Sequence, residues 1–229
     1  MKYKESGESE RVRAKRREFA WETLDWTAED WGKILWSDET WVTGGIHQRV
    51  WITRGIGEGW NEDCITPVLR KQKGWMFWGC FAGGKKGPGI FWEKEWGRTI
   101  NSKSYREHIV PVVDAWMQEN ASLGWTFMQD NAPSHKARAT LADLEQRGIR
   151  PLDWPAFSPD LNPIEHVWAW MKDWLQNNYS DLQCSLSELR NRVQLAWEAV
   201  PEDFLKKLVD SMPERINWVH MTGGGHTSY

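Results

Sequence analysis

Three acidic residues stand where chemistry could be done: Asp38 in KILWSDET, Asp130 in WTFMQDNAPSH and Glu165 in WPAFSPDLNPIEHVW. Each Asp closes a short apolar run that reads as a buried strand, and the Glu opens a helix. The 34 residues between Asp130 and Glu165 suffice for one helix and one further strand. Carboxylates brought from separate elements to one point suit a pair of hard, oxygen-seeking cations, and such a pair suits phosphodiester chemistry.

Each acid also has a purely structural reading. Strand alternation puts Ile34, Trp36 and Asp38 on one face, so the carboxylate continues an otherwise apolar row and requires compensation there. An Asp ending a strand is equally the usual start of a turn, and the same holds for Asp130. For Glu165 the rival is capping: Asn162 as N-cap, Pro163 at the first helical position and Glu165 at the third form a capping-box pattern. The helix that follows lines up Ile164, Val167, Trp168, Met171, Trp174 and Leu175, with Glu165 on the flank of that stripe.

The elements that must position these residues are legible in outline. Thr27 and Asp30 read as the cap of a short helical turn before a strand at Ile34–Trp36. A second strand is expected at His47–Thr53 and an irregular excursion over Arg54–Gly74. Trp75–Ala82 is a further strand, Gly83–Gly89 a glycine-rich turn, and Ile90–Trp92 a short strand. Helical spacing covers Asn101–Asn120, a strand Trp125–Gln129, a helix Pro133–Arg147 stopped by Gly148, and a last strand Ile149–Trp154. Helical signals then run to about Val209, and MTGGGHTSY is expected to be an exposed tail. Strands, then alternating helix and strand, then helices predict an α/β domain with a mixed sheet.

At 229 residues the chain can hold one large domain with appendages: a basic arm over 1–25, a catalytic domain over 26–180 and a helical extension with a Gly-rich tail over 181–229. No apolar stretch reaches membrane-span length, so no membrane partner is expected. Three widely spaced Cys without a CxxC pair disfavour a zinc site or a disulfide framework. Net charge is −3, but residues 1–18 alone carry +3. Arg11, Arg13, Lys15, Arg16 and Arg17 crowd into seven positions, and such a run fits a phosphate contact, a nuclear-import signal or a solvated helix face. The nineteen Trp fall mostly in apolar patterns and are expected in the core.

Taken in order, WTAEDWGKILWSDET, MQDNAPSH, WPAFSPDLNPIEHVW and SMPERI…GGGHTSY resemble the DDE transposases of the Tc/mariner superfamily, with FWEKEWG closest to fungal-type members. The resemblance spans about Trp26–Tyr229. It implies a ribonuclease-H-like fold, a five-stranded mixed sheet flanked by helices. It assigns Asp38 and Asp130 as the two catalytic Asp residues and Glu165 as the catalytic Glu, together holding two Mg²⁺ for which Mn²⁺ can substitute. It implies DNA as partner (inverted-repeat transposon ends, a TA target), a homodimer at full length, and a nuclear location. Asn131 and His135 are candidate DNA or supporting contacts beside the basic run, and Lys71, Lys73, Lys85 and Lys86 are loop residues that could touch phosphate. The helix-turn-helix modules usual at the front of the family have no counterpart here, so RVRAKRREFAW is expected to be remnant linker. The alternatives are a catalytically silent derivative that only binds DNA or a partner transposase, and a structure-selective nuclease or ribonuclease H.

Overall fold

The computed structural model describes residues 7–43, 74–121, 124–179 and 184–229. The strand expected at His47–Thr53, most of the excursion after it, and Lys71 and Lys73 lie outside the described residues. Four strands form the sheet among those described: β1 (Ile34–Thr43), β2 (Gly74–Ala82), β3 (Lys85–Phe91) and β4 (Thr126–Met128), in the order β3-β2-β1-β4. β1 runs antiparallel to β2 and parallel to β4, so the sheet is mixed. The helices are α1 (Gly7–Glu22), α2 (Ala28–Gly32), α3 (Ser102–His108), α4 (Val110–Glu119), α5 (Pro133–Lys136), α6 (Arg138–Gln146), α7 (Ile164–Asn178), α8 (Leu186–Ala199), α9 (Glu202–Asp210) and α10 (Met212–Met221).

Alternation along the strands builds two cores, one on each face of the sheet. Ile34, Trp36, Phe77, Phe81 and Met128 meet the apolar stripes of α7, α8, α9 and α10. Leu35, Trp78, Cys80, Ala82 and Phe127 meet α3, α4 and Leu144 of α6. Burial of side chains such as Phe77 and Phe81 stabilises the fold by about 1.5–3 kcal/mol each. Trp is core material, as its patterns predict: Trp36 stacks on Trp31 at 5.9 Å and meets Trp154 edge-on at 5.7 Å. Trp21, Trp41 and Trp218 are the exposed exceptions among the described residues.

Two glycines explain why the helical layer can lie close to the sheet. A Cβ on Gly79 would stand 2.9 Å from Trp168 of α7 and 3.0 Å from Trp197 of α8. A Cβ on Gly89 would stand 2.4 Å from Phe77 and 2.9 Å from Trp197. Hence Gly87 and Gly89 belong to strand β3 and not to a turn: the reversal between β2 and β3 needs only Gly83 and Gly84, with Gly83 at φ +55°. Glycine serves close approach there, a use the sequence does not distinguish from turning.

Other expectations are also corrected. The fifth strand is reduced to one parallel bridge, Phe127 to Pro151, with Leu152 N–H donating to Phe127 O at 2.7 Å. Pro151 has no N–H to extend a ladder, and Pro155 follows close behind. The helix expected over Asn101–Asn120 is two, parted at Ile109 ahead of Pro111. The one expected over Pro133–Arg147 is also two, parted at Ala137, whose backbone is extended. Gly148 at φ +73° does end that segment.

Neither α1 nor the segment after α10 is loose. α1 packs its Phe19 and Ala20 into the core, and Arg16 is 1% exposed. Arg16 Nε donates to Gly224 O at 3.1 Å and Nη2 to Gly225 O at 2.9 Å. The expected exposed tail is therefore docked, with Thr227 N–H on Asp160 Oδ2 and the Arg215 guanidinium over the Tyr229 ring.

Candidate active site

Asp38 lies inside β1, opposite Gly79 of β2. On its other side the β4 ladder stops at Trp36–Met128, which opens the sheet next to the carboxylate. The strand thus continues past Asp38 to Thr43, beyond the end expected from the sequence, because β2 goes on pairing with it. Asp130 stands two residues after β4, and Glu165 in the first turn of α7. All three line one cleft of about 430 Å³, with Asn131, Asn162 and the loop Trp154–Pro159. α7 is seated by Trp168, which fills the space above Gly79 and so brings the helix start to the cleft that Asp38 lines.

Asp38 Oδ1 accepts the Glu39 N–H at 2.7 Å, and Asn162 Nδ2 approaches Oδ2 at 3.5 Å. Burial, then the nearby charges of Glu39 and Glu165, push its pKa up to about 8, so at neutral pH it holds a proton. Burial also raises Glu165, against the opposing pull of Lys172 and a hydrogen bond with the Asp38 carboxyl. No capping hydrogen bond engages the Glu165 side chain, while Asn162 Oδ1 accepts the Ile164 N–H at 3.4 Å at the helix start, as expected of a cap. The structure thus frees Glu165 from the capping-box role.

Asp130 is different. Burial raises it, but hydrogen bonds from His135 Nδ1 to Oδ1 at 2.6 Å and from Ala132 N–H at 2.8 Å hold it below the ordinary carboxylate value. His135 is itself buried, with the Tyr105 ring centroid 4.3 Å away and Glu39 Oε1 3.5 Å from its Nε2. Burial depresses its pKa, yet Asp130 and Glu39 outweigh that and raise it to about 9. The imidazolium bridges an acid on one side of β1 to an acid beyond β4. Glu39, Tyr105 and Gln129, whose Oε1 accepts the Tyr105 hydroxyl at 3.1 Å, were not singled out from sequence. Only strand alternation, which turns Glu39 to the face opposite Asp38, could have pointed to it.

The remaining sequence candidates separate clearly. His135 is too buried to touch DNA and instead orients Asp130. Asn131 spends its amide on Trp154 O at 2.7 Å. Arg16 is removed from the DNA-contact set by burial: it makes a bidentate pair with Asp160 at 2.8 and 2.7 Å. Arg13 is half-buried and reaches Thr222 O at 3.5 Å, while Arg11, Lys15 and Arg17 remain exposed on α1. Lys85 and Lys86 sit in β3, not in a loop.

Among the described residues no group of three His, Cys, Asp or Glu side chains is already gathered as a cation cage. The donor set nevertheless fits hard divalent cations. It is all oxygen, it lines one cleft, and burial followed by the charges of Glu39 and Glu165 raises the Asp38 carboxyl, a cost that a bound cation would relieve.

Known proteins resemble this chain in sequence and in fold. The family pattern of the DDE superfamily endonucleases matches residues 58–187, which includes Asp130 and Glu165 and begins after Asp38. The Tc1 transposase of Caenorhabditis elegans is 30% identical over 209 residues, 90% of this chain and 74% of the relative. The Tcb1 transposase of Caenorhabditis briggsae is 30% identical over 223 residues, 95% of this chain and 78% of the relative. The solved Mos1 transposase catalytic domain with Raltegravir and Mn superposes with a TM-score of 0.72 at 20% identity, covering 96% of this chain and 98% of that one. The Mos1 paired-end complex with the left transposon end gives 0.77 at 21% identity, covering 95% of this chain and 63% of that one. The fold is therefore the α/β fold of that catalytic domain, with four strands described here where five are expected. By sequence match and by fold, the chain belongs to the DDE superfamily endonucleases, as a member of the Tc1/mariner transposase family.

Proposed function

We propose that this chain cuts DNA strands at the ends of a transposon and transfers them to target DNA, with Asp38, Asp130 and Glu165 as the catalytic carboxylates. The observation that carries the reading is their placement: a mid-strand Asp, an Asp just past the neighbouring strand and a Glu in the first helical turn line one cleft. The same three residues would hold two Mg²⁺ or Mn²⁺ ions. When bound, the ions supply a lowered pKa at an attacking water or 3′-hydroxyl and charge stabilisation at the departing oxygen. The chain's own contribution is positional. Asp38 gives up its proton as it becomes a ligand, His135 and Ala132 N–H fix the Asp130 carboxylate, and Asn162 steadies Asp38. Inverted-repeat ends as substrate, a TA target, a homodimer at full length and a nuclear site of action complete the proposal.

The test is a nicking assay on an end duplex in Mg²⁺ and in Mn²⁺. Asp38→Asn, Asp130→Asn and Glu165→Gln should each reduce cleavage at least about 100-fold, equivalent to some 2.7 kcal/mol. Wild-type rates in any of the three would remove that residue from the assignment.

A further inference from the structure

Phe157 is out of place by ordinary rules. It is 70% exposed, and its φ of +55° makes it the one non-glycine residue in the left-handed region among the described residues. A bulky aromatic there is strained, and Asn or Gly would relieve the strain. Water gives the ring no compensating burial. Yet the backbone around it is fixed. Trp154 O accepts from Asn131 Nδ2 at 2.7 Å, Ser158 is buried with its Oγ on Ala156 O, and Asp160 is clamped by Arg16. A held, strained and exposed aromatic beside a reactive cleft points to a use outside the apo fold.

The residues that line the cleft are of two chemical kinds. One is the carboxylates of Asp38, Asp130 and Glu165, the place of a phosphate once cations are bound. The other is apolar, with Pro133, Pro155 and Pro159 beside Phe157. A nucleotide has the same division, a charged phosphate joined to a flat, weakly polar base. We propose that Phe157 is a stacking platform for a nucleobase next to the scissile phosphate, holding that base unpaired while the carboxylates act on the phosphate. Aromatic stacking tolerates any base, so the residue would position the strand and not read its sequence. The inference rests on the proposed DNA-cutting function, to which it adds a base subsite.

The test places 2-aminopurine at each of the three nucleotides on either side of the scissile phosphate of an end duplex, and measures its fluorescence with the full chain in Mg²⁺. Wild type and Phe157→Trp should quench one position strongly, and Phe157→Ala should not. Because the ring is exposed, Phe157→Ala should keep the wild-type melting temperature, which separates loss of stacking from loss of fold. Cleavage by Phe157→Ala should fall about tenfold. An abasic site at the quenched position should slow wild type equally and slow Phe157→Ala no further, the coupling expected of partners in contact. Wild type that cuts without quenching at any position would overturn this inference and leave the proposed activity standing. Quenching without cutting would do the reverse. An abasic penalty as large in Phe157→Ala as in wild type would also overturn it.

Discussion

His135 Nδ1 lies 2.6 Å from Asp130 Oδ1, and with the Ala132 N–H on the same oxygen it sets which way the second catalytic candidate faces. The ring is charged because Asp130 and Glu39 hold its pKa near 9 against the opposing effect of burial. Its folded pKa thus exceeds the ordinary value of 6.5. The stabilisation it brings is complete below about pH 6.5 and is lost as pH rises through 9. In chelator, wild type should lose several degrees of melting temperature between pH 8 and 9.5, and His135→Asn should show a flatter profile there. The same variant should cut about 10–100-fold more slowly, the usual cost of removing a group that orients a ligand. An unchanged pH profile would show that the ring is neutral in the fold.

Asp38 predicts the opposite behaviour on substitution. A carboxyl raised to about 8 from its ordinary 3.8 binds a proton more tightly folded than unfolded, so the fold loses stability as pH climbs from about 4 to 8. Asp38→Asn mimics the protonated form. In chelator at pH 8 it should melt several degrees above wild type, and saturating Mg²⁺ should narrow the gap by stabilising wild type alone. A variant that melts at or below wild type under chelator would contradict the cost of a buried Asp38 carboxylate beside Glu39 and Glu165.

The Arg16–Asp160 pair is largely sealed from water, and removing one partner would leave the other buried and uncompensated. Arg16→Met or Asp160→Asn should each cost about 3 kcal/mol, or roughly 6–12 °C in melting temperature, measured by thermal or urea unfolding. The Asp160 carboxyl is held below its ordinary pKa: burial opposes this, but the Arg16 hydrogen bonds and the Thr227 N–H prevail. Its contribution is therefore full above about pH 4 and lost as pH falls through the depressed value, and Asp160→Asn should be less acid-sensitive than wild type.

Gly79→Ala should be costly although only one methyl is added. The new carbon would stand 2.9 Å from Trp168, and overpacking of this kind costs about 1–3 kcal/mol. Since Trp168 seats α7, the change should also displace Glu165 and lower the cutting rate beyond what stability explains. Cleavage measured well below the melting temperature separates the two effects.

How much of this was written legibly in the residues depends on the kind of information each position carries. The three acids and their elements could be read because each follows or opens a strongly patterned apolar segment. The strand at Ile149–Trp154 looked continuous in pattern, but a ladder needs N–H donors, and Pro151 withholds one. Gly89 looks like a turn residue until Phe77 and Trp197 are placed against it, and Gly87 until Cys80 is. Arg16 reads as one more cation in a basic run. Its burial depends on Asp160 and on the carbonyls of Gly224 and Gly225, more than a hundred residues away, and local pattern holds no record of such partners. Sequence distance likewise hid Glu39, whose partner His135 lies in α5, far along the chain.

Arg16 fastens α1 and the segment around Gly224–Thr227 together at Asp160, in the loop that leads into Glu165. Tension applied through α1 or through that segment would be delivered to that loop before it reached the sheet. Any neighbour joined through α1, or any partner that pulls the Gly224–Tyr229 segment away, thereby holds a mechanical lever on the register of Glu165 against Asp38.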